Sequence, residues 1–343
     1  MAEHLSLLPL EVYDAGFPIA QPGVHSLIKE VRRYLCCGWA LNELRIGAGG
    51  WAYFKVPGLD PLKAYSKAFN FVEVNSTFYE VPPKTLVQSW RRRVPLGFEF
   101  SVRAHRSLTH TYKLEPVEGS HEALRGMIEI CRVLGADILH LQTPPLMEFT
   151  RKRIEAIGDL FASTSLRGVR VAWEVRSLKG GLSPLLERLM RDLDVIHCVD
   201  LSKETPGVSS DILYSRLFGK GVHNVYQFDD EELKQIDERA DKVDADKTYL
   251  SFHGVKMYKD AARLKAYKET GRFPKATRSV GLASLREVLM EDAKFPCTKG
   301  ELVRSQGWKV IDLTAEERVH ASQLLEKLPD KIFRNVREVL QSL

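Results

Sequence analysis

From residue 44 onward the chain alternates short apolar runs with amphipathic segments, and that rhythm admits few folds. The runs rich in β-branched and aromatic residues are Leu44–Ala48, Phe71–Val74, Glu99–Arg103, Ile138–Gln142, Val169–Trp173, Val195–Val199, Ile212–Leu217 and Thr248–Phe252. Helical patterns separate them at Pro61–Phe69, Lys84–Arg93, His121–Leu134, Arg151–Phe161, Pro184–Arg191, Asp229–Ala240 and Tyr258–Tyr267. Eight strands alternating with helices is the count of an α/β TIM (β/α)8 barrel. Runs such as ILHLQ and VIHCV suit parallel strands buried on both faces. The stretch from Leu201 to Asp211 is too short and turn-rich for a full helix, so one barrel helix is expected to be missing.

The chain has 343 residues, which leaves room for a barrel of about 250 residues and an appendage. The expected division is an N-terminal extension over residues 1–43 with one helix at His25–Tyr34, then a barrel over 44–270. A turn-rich, basic linker follows at 271–284 (GRFPKATRSVGLA lies within it), and then a small all-α domain over 285–343. Helical patterns in that tail fall at Leu285–Asp292, Thr298–Gln306, Ala315–Lys327 and Asn335–Leu340. Thr298 with Glu301, and Thr314 with Glu317, have the spacing of capping boxes.

Composition excludes several classes. With 44% hydrophobic and 28% charged residues, the chain reads as soluble and globular. No run approaches 18 apolar residues, so no spanning helix and no membrane partner are expected. The N-terminal stretch carries early acids and no basic region, unlike a secretory signal. Cys36, Cys37, Cys131, Cys198 and Cys297 are odd in number and lack C-x-x-C spacing, which points to reduced thiols and a cytoplasmic location. Cys131 and Cys198 sit inside apolar runs and read as core fillers. Between residues 84 and 115, seven basic residues (Lys84, Arg91, Arg92, Arg93, Arg103, Arg106, Lys113) face two acids, an excess of five, equal to the net charge of the whole chain. Arg91–Arg93 fit the solvated end of a helix or a patch touching phosphate; either reading stands.

Catalysis in such barrels lives at the C-terminal ends of the strands. The first ends in Gly47-Ala48-Gly49-Gly50-Trp51, where glycines let backbone approach a ligand or simply form a tight turn. The second delivers Glu73 and Asn75 on one face, then Thr77 and Tyr79. The third ends in Arg103 and His105, with His110 in the following loop, and the fourth in Gln142. Glu174 and Arg176 share a face after the fifth, as an internal salt bridge or as chemistry. Asp200 follows the sixth strand, Tyr214 and Arg216 lie in one register of the seventh, and His253 follows the eighth. Glu73, Glu174, Asp200 and His253 would make a carboxylate-rich site for a divalent metal, although no zinc-type histidine pair is present. The carboxylates Glu73, Glu174 and Asp200, set against Arg176 and Arg216, leave an expected excess negative charge of about one.

The order GAGGWAY, FVEVNSTFY, W-x(7)-FEFSVRAHRSLTH, LQTPP, WEVRS, VD and Y-x-RLFG resembles the YecE-like family, domain of unknown function 72, over about residues 44–268. The resemblance implies a TIM barrel related in fold to the sugar isomerase and endonuclease IV group, without an established activity. It carries the family pattern onto Gly50, Trp51, Glu73, Asn75, Thr77, Tyr79, His110, Gln142, Glu174, Arg176, Asp200, Tyr214 and Arg216. Phe218 departs from a histidine common in the family, and His253-Gly254 replaces an asparagine pair. The tail segments FPCTKGELVRSQGW and LLEKLPDKIFRNVREVL resemble domain of unknown function 2795.

Three functions follow. The first is a phosphoester hydrolase, nuclease-like and acting on nucleic acid, with Glu73, Glu174 or Asp200 as base or metal ligand and Arg103, Arg176 and Arg216 stabilising phosphate charge. The second is a sugar or sugar-phosphate isomerase or epimerase using Glu73 and Glu174 for proton transfer. The third is a non-catalytic nucleic-acid binder. The expected partner is thus a nucleic acid or a phosphorylated small molecule.

Overall fold

The computed structural model describes residues 43–176 and 181–343, so the expected N-terminal extension and its helix lie outside the described residues, Glu43 excepted. All eight expected strands form in chain order: β1 (Glu43–Ala48), β2 (Phe71–Val74), β3 (Glu99–Arg103), β4 (Ile138–Thr143), β5 (Arg170–Val175), β6 (Ile196–His197), β7 (Ile212–Leu217) and β8 (Lys247–Phe252). They are parallel neighbours from β6 back to β1, and then through β8 to β7. A parallel bridge between Val199 and Ser215 closes the ring, with the Arg216 amide donating to the Val199 carbonyl at 3.0 Å. Helices follow every strand except β6, whose connection to β7 is made of turns, as its composition implies.

Register sorts the side chains. Alternate residues point into the barrel and stack in tiers, while the others face the helices. Val72, Val74, Val102, Leu139, Leu141, Val171 and Trp173 join the core between sheet and helices. Inside the barrel, Phe71, Ile138, Ala172, Ile196, Tyr214 and Tyr249 form a separate apolar plug, with Cys198 at its edge. Arg45, Glu99 and Lys247 lie where the strands begin, and Glu73, Arg103, Gln142, Glu174 and Arg216 lie toward their C-terminal ends, which is where a site belongs.

The tail has its own apolar core, including Leu285, Leu289, Leu302, Ile311, Leu325, Phe333 and Val339. It is helical, yet it is not all-α: β9 (Cys297–Thr298) pairs with β12 (Ile332–Phe333), and β10 (Val310–Asp312) with β11 (Arg318–His320), both antiparallel. The Thr298–Glu301 capping box forms. The Thr314–Glu317 spacing instead makes a hairpin turn: Thr314 Oγ1 accepts from the amides of Glu316 and Glu317 at 3.2 and 3.1 Å, and the Leu313 amide donates to the Glu317 carbonyl at 2.9 Å. The expected helix Ala315–Lys327 is therefore reduced to a strand and the single turn Ser322–Leu325. Tertiary contacts explain the change, because the extended strand lets Arg318 reach Asp230 at 2.5 Å and His320 reach the Gln227 carbonyl at 2.8 Å, both in the barrel. The stretch read as a linker is held at both ends, by Phe273 stacked on Tyr267 with ring centroids 4.2 Å apart and by the Thr277 amide donating to Asp312 at 2.7 Å. Among the described residues no helix is long and apolar enough to cross a membrane.

Candidate functional site at the barrel mouth

The geometry is built outward from Arg216 on β7, whose side chain is 2% exposed and projects above the apolar plug. Its Nη2 lies 3.0 Å and its Nε 3.1 Å from the two oxygens of Glu73 on β2, a bidentate pair between opposite walls. Its Nη1 donates to Glu174 on β5 at 2.5 Å and to Gln142 on β4 at 3.0 Å. Gln142 Oε1 also accepts from Arg103 on β3 at 2.8 Å, and Arg103 donates to Asn75 at 2.6 Å while lying 3.8 Å above the Phe78 ring. Tyr214 donates to Glu73 at 2.8 Å and meets the Ser101 hydroxyl at 2.6 Å. His253 completes the ring, with Nε2 3.6 Å from Glu73 and the imidazole stacked on Phe218. Gly49 makes room for it, since a Cβ there would stand 2.3 Å from the His253 ring.

Charge is distributed by these contacts. Burial alone would raise the Glu73 carboxyl; the Arg216 guanidinium outweighs it and holds the group well below the usual carboxylate range. Glu174 is likewise held down against its burial, by Arg216. Burial and the neighbouring Arg216 bring Arg103 down to about 10 and His140 to about 4, and they hold His253 well below its ordinary value. Both carboxylates are therefore saturated anions, and both imidazoles are neutral.

Two expectations change. Asp200 does not face Arg216: its oxygens accept from the Ser202 amide and hydroxyl at 3.0 and 2.6 Å and from the Phe218 amide at 3.1 Å, shaping the turn after β6. The buried cluster thus holds two carboxylates, Glu73 and Glu174, against three guanidinium groups, Arg103, Arg176 and Arg216. Its excess is about one positive charge rather than one negative, and with Asp200 turned to its own loop the expected set of Glu73, Glu174, Asp200 and His253 is not assembled. The basic stretch divides as well. Arg91 donates to the Phe98 carbonyl at 2.7 Å and Arg93 pairs with Asp60, at the end where β3 begins, whereas Arg103 lies where β3 finishes.

The remaining residues scatter around the mouth. Arg176 donates through Nε to Glu174 at 2.5 Å, lies 5.4 Å from the Phe218 ring, and keeps 35% of its side chain exposed. Thr77 donates to the carbonyls of Val74 and Arg103 at 2.8 and 2.6 Å and is a latch between strands. Trp51 packs edge-on against Trp90, and Gly50 accepts from Tyr258, so neither meets the charged cluster. Tyr79 is exposed beside Phe78; His105 contacts Ser107; His110 packs on Phe78, its pKa lowered by burial and Arg103. A cleft of about 360 Å³ opens over Glu174, Arg176, Arg216 and Phe218 toward Asp200, Lys203, Glu204 and His197, beside the helix-less β6–β7 connection. A larger hollow of about 760 Å³ lies on the tail between Leu282–Asp292 and Val336–Leu340, with only Arg286 and Arg337 charged in its lining.

Sequence reasoning overlooked His140, Cys198, His197 and Ser101. Alternation could have found three of them: His140 lies two residues before Gln142, Cys198 two before Asp200, and Ser101 two before Arg103.

The family model for "Protein of unknown function DUF72" matches residues 34–278. A search of curated proteins finds no match. A solved DUF72 structure from Thermotoga maritima is 21% identical, with a TM-score of 0.53, covering 66% of this chain and 100% of that one. Another from Enterococcus faecalis is 15% identical, with a TM-score of 0.52, covering 66% of this chain and 98% of its own. Both share the barrel fold. The match over most of the chain and the motifs gathered at the strand ends make this protein a member of the DUF72 family.

Proposed function

We propose that the barrel mouth binds a small anionic ligand, a phosphorylated or carboxylated compound of sugar size, with Arg176 as the recognition group. The observation that carries this is the half-free guanidinium of Arg176. Glu174 orients it through Nε, and among the described residues its two terminal nitrogens have no partner, so a planar fork faces the cleft. Arg216 and Arg103 add positive charge behind it. The cleft volume of about 360 Å³ lies at the low end of small-ligand sites, which run from about 300 to 1,000 Å³.

This reading favours the small phosphorylated partner over nucleic acid, because Arg91 contacts the Phe98 carbonyl just before β3, at the opposite end of the barrel. It also shifts the roles of the carboxylates. Glu73 and Glu174 are saturated by arginine and are poor proton acceptors, so isomerase chemistry through that pair loses its base; the neutral imidazoles remain as hydrogen-bond donors. The tail, whose sequence resembles domain of unknown function 2795, takes no part in this reading.

Calorimetric titration with inorganic phosphate, ribose 5-phosphate and citrate tests the proposal. At least one should bind to the parent protein, and Arg176→Ala should weaken that binding by more than about tenfold, the loss of a charge-assisted contact. Equal binding by parent and variant, or none by the parent, overturns it.

A further inference from the structure

His140 is a histidine of the barrel interior to which the anion-binding reading gives no specific role. It is fully buried on β4, and among the described residues its Nδ1 has no hydrogen-bond partner while Nε2 meets the Glu174 carboxylate. A buried imidazole with one nitrogen unpaired is costly to keep, and such groups call for an explanation, an unseen ion or water among them. On the neighbouring strand β5, Glu174 places Oε2 at 3.3 Å from His140 Nε2. Immediately after β6, Cys198 is also buried, and the donor atoms of His140, Glu174 and Cys198 all lie within 4.8 Å of one another. Three consecutive strands thus aim an imidazole nitrogen, a carboxylate oxygen and a sulfur at one point.

We propose that His140, Glu174 and Cys198 form a three-ligand site for a divalent transition metal of the zinc type. The donor set fits: nitrogen, oxygen and sulfur suit zinc, and three protein ligands with an open position is the pattern of reactive rather than structural sites. The open side is available, since Glu174 and Cys198 both line the cleft at the barrel mouth. The Cys198 thiol gives up its proton as the metal–sulfur bond forms, so the ion's two positive charges meet one thiolate and one carboxylate, with one proton released to solvent. Arg216 shares the Glu174 oxygen and would give up that bond while keeping its bidentate pair with Glu73 and its contact to Gln142. This set differs from the carboxylate-rich one suggested by the strand ends, and it stands whether or not the mouth also binds an anion.

The test uses the full chain, stripped with chelator and titrated with cobalt(II) alone. The parent should take one cobalt with a thiolate-to-metal absorption band, and one equivalent of zinc should erase it. Cys198→Ser should abolish the band. His140→Gln should weaken binding by more than about tenfold. Cys36→Ser/Cys37→Ser should keep the band, which separates the barrel from the other cysteine pair, and His320→Gln should keep it too, which excludes the Asp229–Glu232–His320 cluster. Folding of each variant is checked by its thermal midpoint, which zinc should raise in the parent but not in Cys198→Ser. No band in the parent, or a band that survives Cys198→Ser, overturns the proposal. Neither outcome bears on phosphate binding by Arg176.

Discussion

At the end of the barrel where the strands begin, Glu99 accepts from Arg45 and Lys247 at 2.8 Å each and from the Tyr249 hydroxyl at 2.6 Å. At the end where they finish, Glu73 and Arg216 pair bidentately at 3.0 and 3.1 Å. Both clusters tie several strands together, yet they differ in hydration and in what is left unbonded. The Glu99, Arg45 and Lys247 side chains keep 22%, 16% and 21% of their exposure, whereas Glu73 and Arg216 keep 0% and 2%. No member of the Glu99 cluster has a buried unpaired polar atom among the described residues, while the mouth has two, Arg103 Nε and His140 Nδ1. A satisfied, half-wet network staples strands. A dry network with spare hydrogen-bonding capacity is suited to receive something, as expected for the functional end of a barrel.

The largest expected effect follows from the dryness of the mouth. Arg216→Ala leaves Glu73 buried without its partner and should cost about 3–5 kcal/mol. Arg45→Ala removes one of several charges around a half-hydrated carboxylate and should cost about 1 kcal/mol or less. Urea unfolding of the two variants decides this. Equal costs would mean that water reaches Glu73 and that the contrast between the ends is unreal.

Acid should sharpen the same comparison. The Glu73 and Glu99 pKa values are both lowered from 4.5, Glu73 by the farther, despite burial in each case. A carboxyl depressed in the folded state contributes stability that is present above its unfolded pKa and lost as pH falls through the folded one. Parent stability should therefore fall from about pH 5 downward. Glu73→Gln should flatten that fall more than Glu99→Gln does, measured as unfolding free energy against pH. A larger flattening from Glu99→Gln would reverse the ranking of the two clusters.

The contrast was only half legible in the sequence. Strand positions came through because apolar runs bounded by turns have one reading when eight of them alternate with helices, and β2, β3 and β7 match to the residue. The tail helix Ala315–Lys327 failed because its outcome depends on Asp230 and Gln227, more than eighty residues away. In the mouth, alternation located Glu73, Glu174 and Arg216 but not which of them pair. Asp200 was miscast because a carboxylate after a strand serves equally well to fold its own turn. His140 and Cys198 were passed over because each lies within an apolar run, where a lone polar residue looks like filler until the third strand supplies its neighbour.

The smallest effect on stability should be the most informative about function. Arg176 and Arg45 each bind a glutamate, and each retains some exposure, at 35% and 16%. Removing Arg176 leaves Glu174 still paired with Arg216, so Arg176→Ala should cost no more than about 1 kcal/mol, close to Arg45→Ala. Their ligand responses should part. Whichever anion binds the parent should raise its thermal midpoint by mass action, and it should do the same for Arg45→Ala. Arg176→Ala should lose the shift, and Arg176→Lys should recover only part of it, because an ammonium carries the charge without the planar fork. If Arg176→Ala keeps the full shift, its guanidinium serves only to brace Glu174, and the mouth would then be a second staple, differing from the first in dryness alone.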